Sequence, residues 1–317
     1  MMISIDGYNI TYNDNSVENS ARSGMRAIFL FGESAPGVIV GVSNQVSNFG
    51  NIFSDVSFTT NAVTLGAATT YGGDRCLSGF GSFTSSNTNA STRISELGVL
   101  LGSNTGVGTA RASLAAAGYG NGLGIFGYGY GSGTNQSITN LVSSIGIVAT
   151  DTAGVGTARF QLAAAGYGGD KAIFGYGTTS VGGTVRVSMT NLVSNAGVVA
   201  TDTTGVGTAR FVLAAATYGG DKSIFGYGAT TASVSITNLV SNAGVVATDT
   251  TGVGTARSGL AAATYGGDKS IFGYGSDWTT GSCYSLTNLI SNTGVVATDT
   301  TGVGTARSYL VASSFGA

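Results

Sequence analysis

The chain of 317 residues contains no histidine, one proline, two cysteines and only 9% charged residues. Without histidine, a zinc centre or a hydroxyl nucleophile activated by imidazole would need unusual substitutes. Charged residues make up about 25% of an ordinary globular chain, so this surface must be covered by Ser, Thr, Asn and Gly rather than by ion pairs. The formal net charge is −2 and no basic run occurs, which leaves a nucleic-acid groove or an anionic membrane patch without an electrostatic basis. No apolar stretch reaches the ~18 residues of a membrane span. The opening MMISIDGYNITYND shows no basic segment followed by an apolar one, so synthesis in a cytoplasm without membrane insertion is expected. The cysteines, Cys76 and Cys283, fall in separate, non-adjacent repeats and are read as structural free thiols.

What the sequence has in abundance is glycine, 53 residues of it, and the glycines are periodic. Aligned on one glycine, six copies of a segment appear: VSNFGN at Gly50, ISELGV at Gly98, VSSIGI at Gly146, VSNAGV at Gly197 and again at Gly244, and ISNTGV at Gly294. Their spacing of about 50 residues marks a repeat architecture. After each glycine comes ATDTTGVGTAR or a variant, then a small-residue run such as FVLAAATYGGDK, then an apolar run such as SIFGYG.

Each copy offers four short runs of strand length. In one copy the first ends at Tyr265, the second covers Ser270 to Gly275, the third Ser285 to Ser291 and the fourth Val295 to Asp299. Gly266-Gly267-Asp268 joins the first two and Asn292-Thr293-Gly294 the last two, both tight-hairpin chemistry because these residues tolerate positive φ. No run alternates cleanly between apolar and polar, as expected of sheets covered on both faces by neighbours. The alanine-rich first run suits the crowded innermost position around an axis. A solenoid would want polar caps at its two ends; here ARSYLVASSFGA at the C-terminal end supplies a first strand, whereas the N-terminal copy has a second strand at Ala27 to Gly32 and no first. The expectation is an all-β, six-bladed β-propeller with four-stranded antiparallel blades, residues 26–317, closed by pairing the 307–317 strand with the N-terminal strand, preceded by an extension at 1–25. Closure would also remove exposed sheet edges.

The pattern R-x-x-L-A-A-A-x-Y-G-G-D-K-x-I-F-G-Y-G resembles the kelch repeat, which implies a kelch-like propeller over most of residues 26 to 317. GYG stands in place of the usual double glycine, and no copy carries the family's tryptophan in its last strand. The repeats also resemble those of virion structural and fibre-like proteins of tailed phages. That resemblance implies a virion location and, as partners, other virion proteins and a host-surface glycan or receptor.

Catalytic groups should break the repeat and scaffold groups should follow it. Arg111, Arg159, Arg210, Arg257 and Arg307 close the GVGTAR segment, Asp55, Asp151, Asp202, Asp249 and Asp299 end the fourth run, and Asp74, Asp170, Asp221 and Asp268 sit in the hairpins with Arg75, Lys171, Lys222 and Lys269. GVGTAR lacks the Lys-Ser/Thr and the helix of a phosphate loop. The aspartates read as turn caps, with a ring of five near the axis as the alternative that would bind a cation. Glu33, Glu96 and Asp277 are the isolated carboxylates from which a glycosidase pair would have to come. No catalytic residue and no cofactor is expected.

The copies differ mainly between the second and third runs: Glu33 to Gly41, Ser82 to Ser95, Tyr130 to Gln136, Thr178 to Val185, Ala229 to Ser233 and Ser276 to Gly281. In an antiparallel meander these connections share one face, opposite the uniform hairpins. Recognition tends to sit on such loops over a rigid scaffold, so Glu33, Tyr130, Arg186, Asp277, Trp278 and Tyr284 are the candidate binding-face residues. The functional expectation is a non-enzymatic virion component for adhesion or structure. A stand-alone glycan-binding, lectin-like propeller and a glycosidase-like enzyme are the competing classes.

Overall fold

A computed structural model describes residues 24–58, 62–83 and 86–316, together with the backbone of 4–5 and 8–9. Of the 1–25 segment, two short strands, Ser4–Ile5 and Tyr8–Asn9, pair with each other; the run from Asp14 to Arg22, whose sequence follows the Asp-to-Arg frame of the repeats, lies outside the described residues. Every regular element among the described residues is a strand, and all pairing within the sheets is antiparallel.

Six sheets of three or four strands carry the repeats. We number them 1 to 6 by the chain order of their second strands. Sheet 1 orders Val311–Phe315, Arg26–Leu30, Val42–Val46 and Val56–Ser57, and sheet 2 orders Ala67–Tyr71, Arg75–Gly79, Ser91–Ile94 and Leu100–Asn104. Sheet 3 holds Ala115–Tyr119, Leu123–Gly127 and Thr139–Val142; sheet 4 holds Ala163–Tyr167, Lys171–Gly175 and Thr190–Val193. Ala214–Tyr218, Lys222–Gly226 and Thr237–Val240 form sheet 5, and Ala261–Tyr265, Lys269–Gly273 and Thr287–Ile290 form sheet 6. In sheet 1 the register runs from Val311 opposite Leu30 to Phe315 opposite Arg26, so the two ends of the repeat array share one sheet.

The fourth strand departs from expectation in sheets 3 to 6, where only isolated bridges remain, such as Val193 with Val199 and Thr190 with Thr203. A side chain stands in the ladder there, as Asn44 also does in sheet 1, where a two-residue fourth strand still pairs beyond it. Asn191 donates its amide to the Ala200 carbonyl at 3.0 Å and to Asp202 Oδ1 at 2.9 Å, which occupies the space where backbone pairing would continue. Sheet 2 has Thr92 at this position, its hydroxyl 3.2 Å from that of Ser103, and there a fourth strand, Leu100–Asn104, pairs across a shift of register between Thr92 and Ile94.

Hydrophobic cores lie between sheets. One apolar cluster fills each junction, from sheets 1 and 2 round to sheets 6 and 1. The second strands are buried on both faces, which explains why they show no alternation in sequence. Approach is close enough that a Cβ on Gly175 would fall 2.7 Å from the Phe225 ring of the next sheet, so the glycine of the Ile-Phe-Gly run is a seat for the neighbouring phenylalanine. The first strands converge on a cavity of about 280 Å³ lined by small residues including Ala116, Gly118, Gly166, Thr217, Ala262 and Ser313.

Two circuits of backbone hydrogen bonds mark the ends of this cavity. At one, the N–H of Ser113 donates to Leu65, Gln161 to Ser113, Val212 to Gln161, Gly259 to Val212, Tyr309 to Gly259 and Leu65 back to Tyr309, all at 2.7–3.1 Å. At the other, the first hairpins donate in the opposite sense: Gly72 to Gly122, Gly120 to Asp170, Gly168 to Asp221, Gly219 to Asp268, Gly266 to Met25, and Gly316 to Asp74. Each sheet gives one bond and accepts one in each circuit.

Deleting residues 311–317 should therefore cost far more than trimming a surface tail, because Val311 and Phe315 are buried in the junction between sheets 1 and 2 and fully burying each such side chain is worth roughly 1.5–3 kcal/mol. Thermal unfolding followed by circular dichroism should show a large fall in Tm or loss of the cooperative transition; an unchanged Tm would mean that this strand is dispensable.

Candidate binding site at the variable end of the axis

The side chains that hold the sheets in place come first, because they set the position of the loops. Arg111, Arg159, Arg210, Arg257 and Arg307 are each 0% exposed, and an uncompensated buried charge would cost several kcal/mol. Sheet 4 shows the compensation. Arg159 donates Nε to the Tyr176 carbonyl at 2.9 Å, Nη1 to the Thr157 carbonyl at 3.1 Å and Nη2 to Asn191 Oδ1 at 2.7 Å. Asp202 lies 3.9 Å from Nη1 and accepts from the Thr157 N–H and hydroxyl. The guanidinium is 4.3 Å from the centre of the Tyr128 ring of sheet 3, a cation–π contact out of water. Tyr128 in turn donates its hydroxyl to the Val155 carbonyl at the entry to sheet 4 and meets Phe174 at 5.2 Å.

The same stack joins Phe80 to Arg111, Tyr176 to Arg210, Tyr227 to Arg257 and Tyr274 to Arg307. Sheet 2 alone replaces the set, and replaces all of it: Val63 stands at the arginine position, Thr92 at the asparagine and Ser103 at the aspartate. Phe31, the ring facing Val63 from sheet 1, lies with it in one apolar cluster. A half-satisfied network is worse than an apolar one; the network is complete in sheets 3, 4 and 6, whereas Arg307 Nη2 and Asn44 Oδ1 in sheet 1 and Asn238 Oδ1 in sheet 5 have no partner.

Burial would raise the pKa of Asp55, Asp151, Asp202, Asp249 and Asp299, but hydrogen bonds from the threonine and the asparagine outweigh it and hold all five below the ordinary value of 3.8. Each is committed to its own sheet rather than to a shared centre. No cluster of three or more metal-ligating acidic or sulfur side chains occurs among the described residues.

The two ends of the axis differ in chemistry. In sheets 4 to 6 the hairpin end repeats Gly-Gly-Asp-Lys, with Lys171 on Asp170 at 2.8 Å and Asn195 on the same carboxylate at 2.9 Å. At the other end the circuit residues Leu65, Ser113, Gln161, Val212, Gly259 and Tyr309 all have φ between 53° and 62°. That left-handed conformation costs a non-glycine residue of the order of 1 kcal/mol. The backbone is the same in all six sheets and the residue differs in all six. Gly259 is the one glycine, and the Tyr309 ring lies where its Cβ would reach, at 3.4 Å.

Beside this circuit is a second cavity of about 300 Å³, walled by Tyr130, Phe160, Phe211 and Trp278, with Leu65, Ser113, Gln161 and Asn87 among the remaining lining residues. Trp278 stands edge-on to Phe211 at 4.8 Å and its backbone N–H donates to the Ser233 hydroxyl at 2.8 Å. Tyr130 packs on Phe160 at 5.5 Å, and the Arg186 guanidinium is 5.4 Å from the Phe211 ring centre. The fold thus gathers Tyr130, Trp278 and Arg186 from three sheets. It does not bring Glu33, Asp277 or Tyr284 into the cavity wall. Glu33 accepts from the Gly37 N–H at 3.3 Å within its own loop. Asp277 caps its turn by accepting from the Thr280 and Thr279 N–H groups at 2.7 and 2.9 Å, bonds that hold its carboxyl below the usual value. Tyr284 is half-buried, and its backbone bridges Gly275 and Arg307.

Phe160, Phe211 and Gln161 were not among the sequence candidates. Their signal was present: two consecutive variable positions interrupt an otherwise uniform stretch between Ala-Arg and Leu-Ala-Ala. No protein-family model matches the chain, and no curated protein sequence matches it. Fold and site together define a repeat-built, all-β protein with an aromatic cavity on the diversified end of its axis.

Two outcomes test the scaffold. Arg159→Val with Asn191→Thr and Asp202→Ser, the set used by sheet 2, should destabilise less in chemical denaturation than Asn191→Thr alone predicts for a stranded arginine, for which about 3–5 kcal/mol is typical; additive losses would contradict the all-or-none network. Because the five aspartates are depressed, their contribution is complete above the unfolded value of 3.8 and is lost as pH falls below it. Stability against urea should drop steeply across that acid range, and less steeply after the triple replacement.

Proposed function

We propose that the chain is a closed, six-bladed, kelch-like propeller acting as a non-enzymatic binding component of a virion, with the variable end of the axis as its recognition surface. The observation that carries the reading is the contrast between the two ends: one backbone circuit is decorated with six different residues, while at the other sheets 4 to 6 share Gly-Gly-Asp-Lys and sheet 2 has Gly-Gly-Asp-Arg, only sheet 3 with Gly-Asn-Gly-Leu and sheet 1 with Met25 and Gly316 departing from it. A scaffold under no demand for recognition has no reason to concentrate variation at one end. The two circuits of hydrogen bonds and the six inter-sheet cores support closure with six blades.

The placement of the carboxylates supports binding without catalysis. Glu96 lies at a hairpin of sheet 2, 3.6 Å from Arg75, on the end away from Glu33 and Asp277. Asp277 is held ionised by its turn and so is not poised as the acid that a glycosidase needs. The virion location rests on the resemblance of the repeats, with other virion proteins as partners and the segment 1–25 as the attachment element. Uncharged Ser, Thr and Asn over most of the surface are compatible with a particle exterior.

A lectin-like reading is favoured by one specific feature, the aromatic wall with uncharged polar groups beside it. Mass spectrometry of purified particles should detect the protein. Tyr130→Ala and Trp278→Ala should each weaken adsorption to host cells by about 2 kcal/mol, roughly 30-fold, if the wall is a hot spot. The same variants should keep a cooperative thermal transition. Unchanged adsorption in both would remove the variable end as the recognition surface.

A further inference from the structure

We infer that the aromatic cavity takes an uncharged sugar ring, as a residue of a neutral glycan, an assignment that rests on the recognition surface proposed above. The volume of about 300 Å³ is at the small end of the range for small-molecule sites. Aromatic side chains from four sheets wall it: Tyr130, Phe160, Phe211 and Trp278. A pyranose presents an apolar C–H face that suits such a wall and a rim of hydroxyls that need both donors and acceptors.

The polar groups meet that second need. Gln161 and Ser113 line the cavity with side chains half-buried, and within the described residues neither makes a side-chain hydrogen bond. An amide and a hydroxyl each offer donor and acceptor capacity. Asn87 gives its amide hydrogen to the Tyr130 carbonyl at 3.0 Å, which leaves its oxygen as an acceptor. A purely apolar occupant would strand these groups against a dry surface.

Charge argues against acidic sugars and phosphates. None of the lining residues is charged. Arg186 lies over the Phe211 ring, 5.4 Å from its centre, and is not part of the lining. The circuit residue Gln161 is also the only one of the six with an amide, in a position where the backbone tolerates Leu, Ser, Val, Gly and Tyr equally. Its identity is therefore set by what it faces and not by the fold.

Trp278 is the only tryptophan of the chain, so intrinsic emission reads the cavity wall directly. The full-length protein would be titrated with glucose, galactose, mannose, N-acetylglucosamine and their short oligomers, with N-acetylneuraminic acid and glucuronate as charged controls. The expected result is a saturable shift with at least one neutral saccharide and none with the charged controls. Gln161→Leu, which the circuit accommodates, should weaken that binding at least about tenfold, the loss of one satisfied hydrogen bond, with Tm unchanged. No shift with any neutral saccharide, equal binding of the charged sugars, or full binding by Gln161→Leu would overturn the assignment. If saccharides fail while Tyr130→Ala still loses adsorption, the sugar assignment alone falls; if adsorption is also unchanged, the recognition surface itself falls.

Discussion

The structure depends on one contact, a buried arginine laid on the aromatic ring of the preceding sheet. Geometry makes this contact do three things at once. It fills the space between two sheets with a large flat side chain, it ties the third and fourth runs of one sheet together through asparagine and aspartate, and it anchors the loop that leads into the next first strand. Coulomb attraction to the aspartate is a minor part, since the carboxylate stays at 3.6–3.9 Å and is partly solvated. The hydrogen bonds of the guanidinium, three in sheets 3 to 6 and two for Arg307, and the ring beneath it are what make burial of the charge tolerable.

That division of labour explains the sequence. Residues that serve the stack repeat almost without change, and so do the glycines that let phenylalanine seat against the neighbouring sheet. The same scaffold fixes the backbone of the axis circuit so firmly that its side chains are free to differ, even in a conformation that non-glycine residues ordinarily avoid. Variation is therefore permitted by the architecture at one end, and the aromatic cavity is what that freedom has produced.

Much of the strand order was legible before any coordinates, because hairpin chemistry at Gly266-Gly267-Asp268 and Gly294 and the spacing of the copies are local signals. The pairing of Val311–Phe315 with Arg26–Leu30 was legible from complementary ends. The reduced fourth strand was not, nor was the Asn191 amide reaching across to Ala200, a contact that composition cannot reveal. Arginine in GVGTAR read as a scaffold group that follows the repeat, but nothing in the pattern showed that it is among the most buried side chains in the molecule. Of the candidate site, the aromatic loop residues Tyr130 and Trp278 stood out by type, while Phe160 and Phe211 were hidden because they adjoin a uniform motif and their meeting across sheets is a property of the fold.

The claim at the centre of this account is that the arginine and the ring of the neighbouring sheet stabilise each other directly. A double-mutant cycle between Arg159 and Tyr128, using Arg159→Met and Tyr128→Leu and measured by chemical denaturation, isolates that term. The account predicts a coupling energy of about 2 kcal/mol, as for a desolvated cation–π pair. A coupling indistinguishable from zero would contradict it, and would assign the cohesion between sheets to the phenylalanine and alanine packing alone.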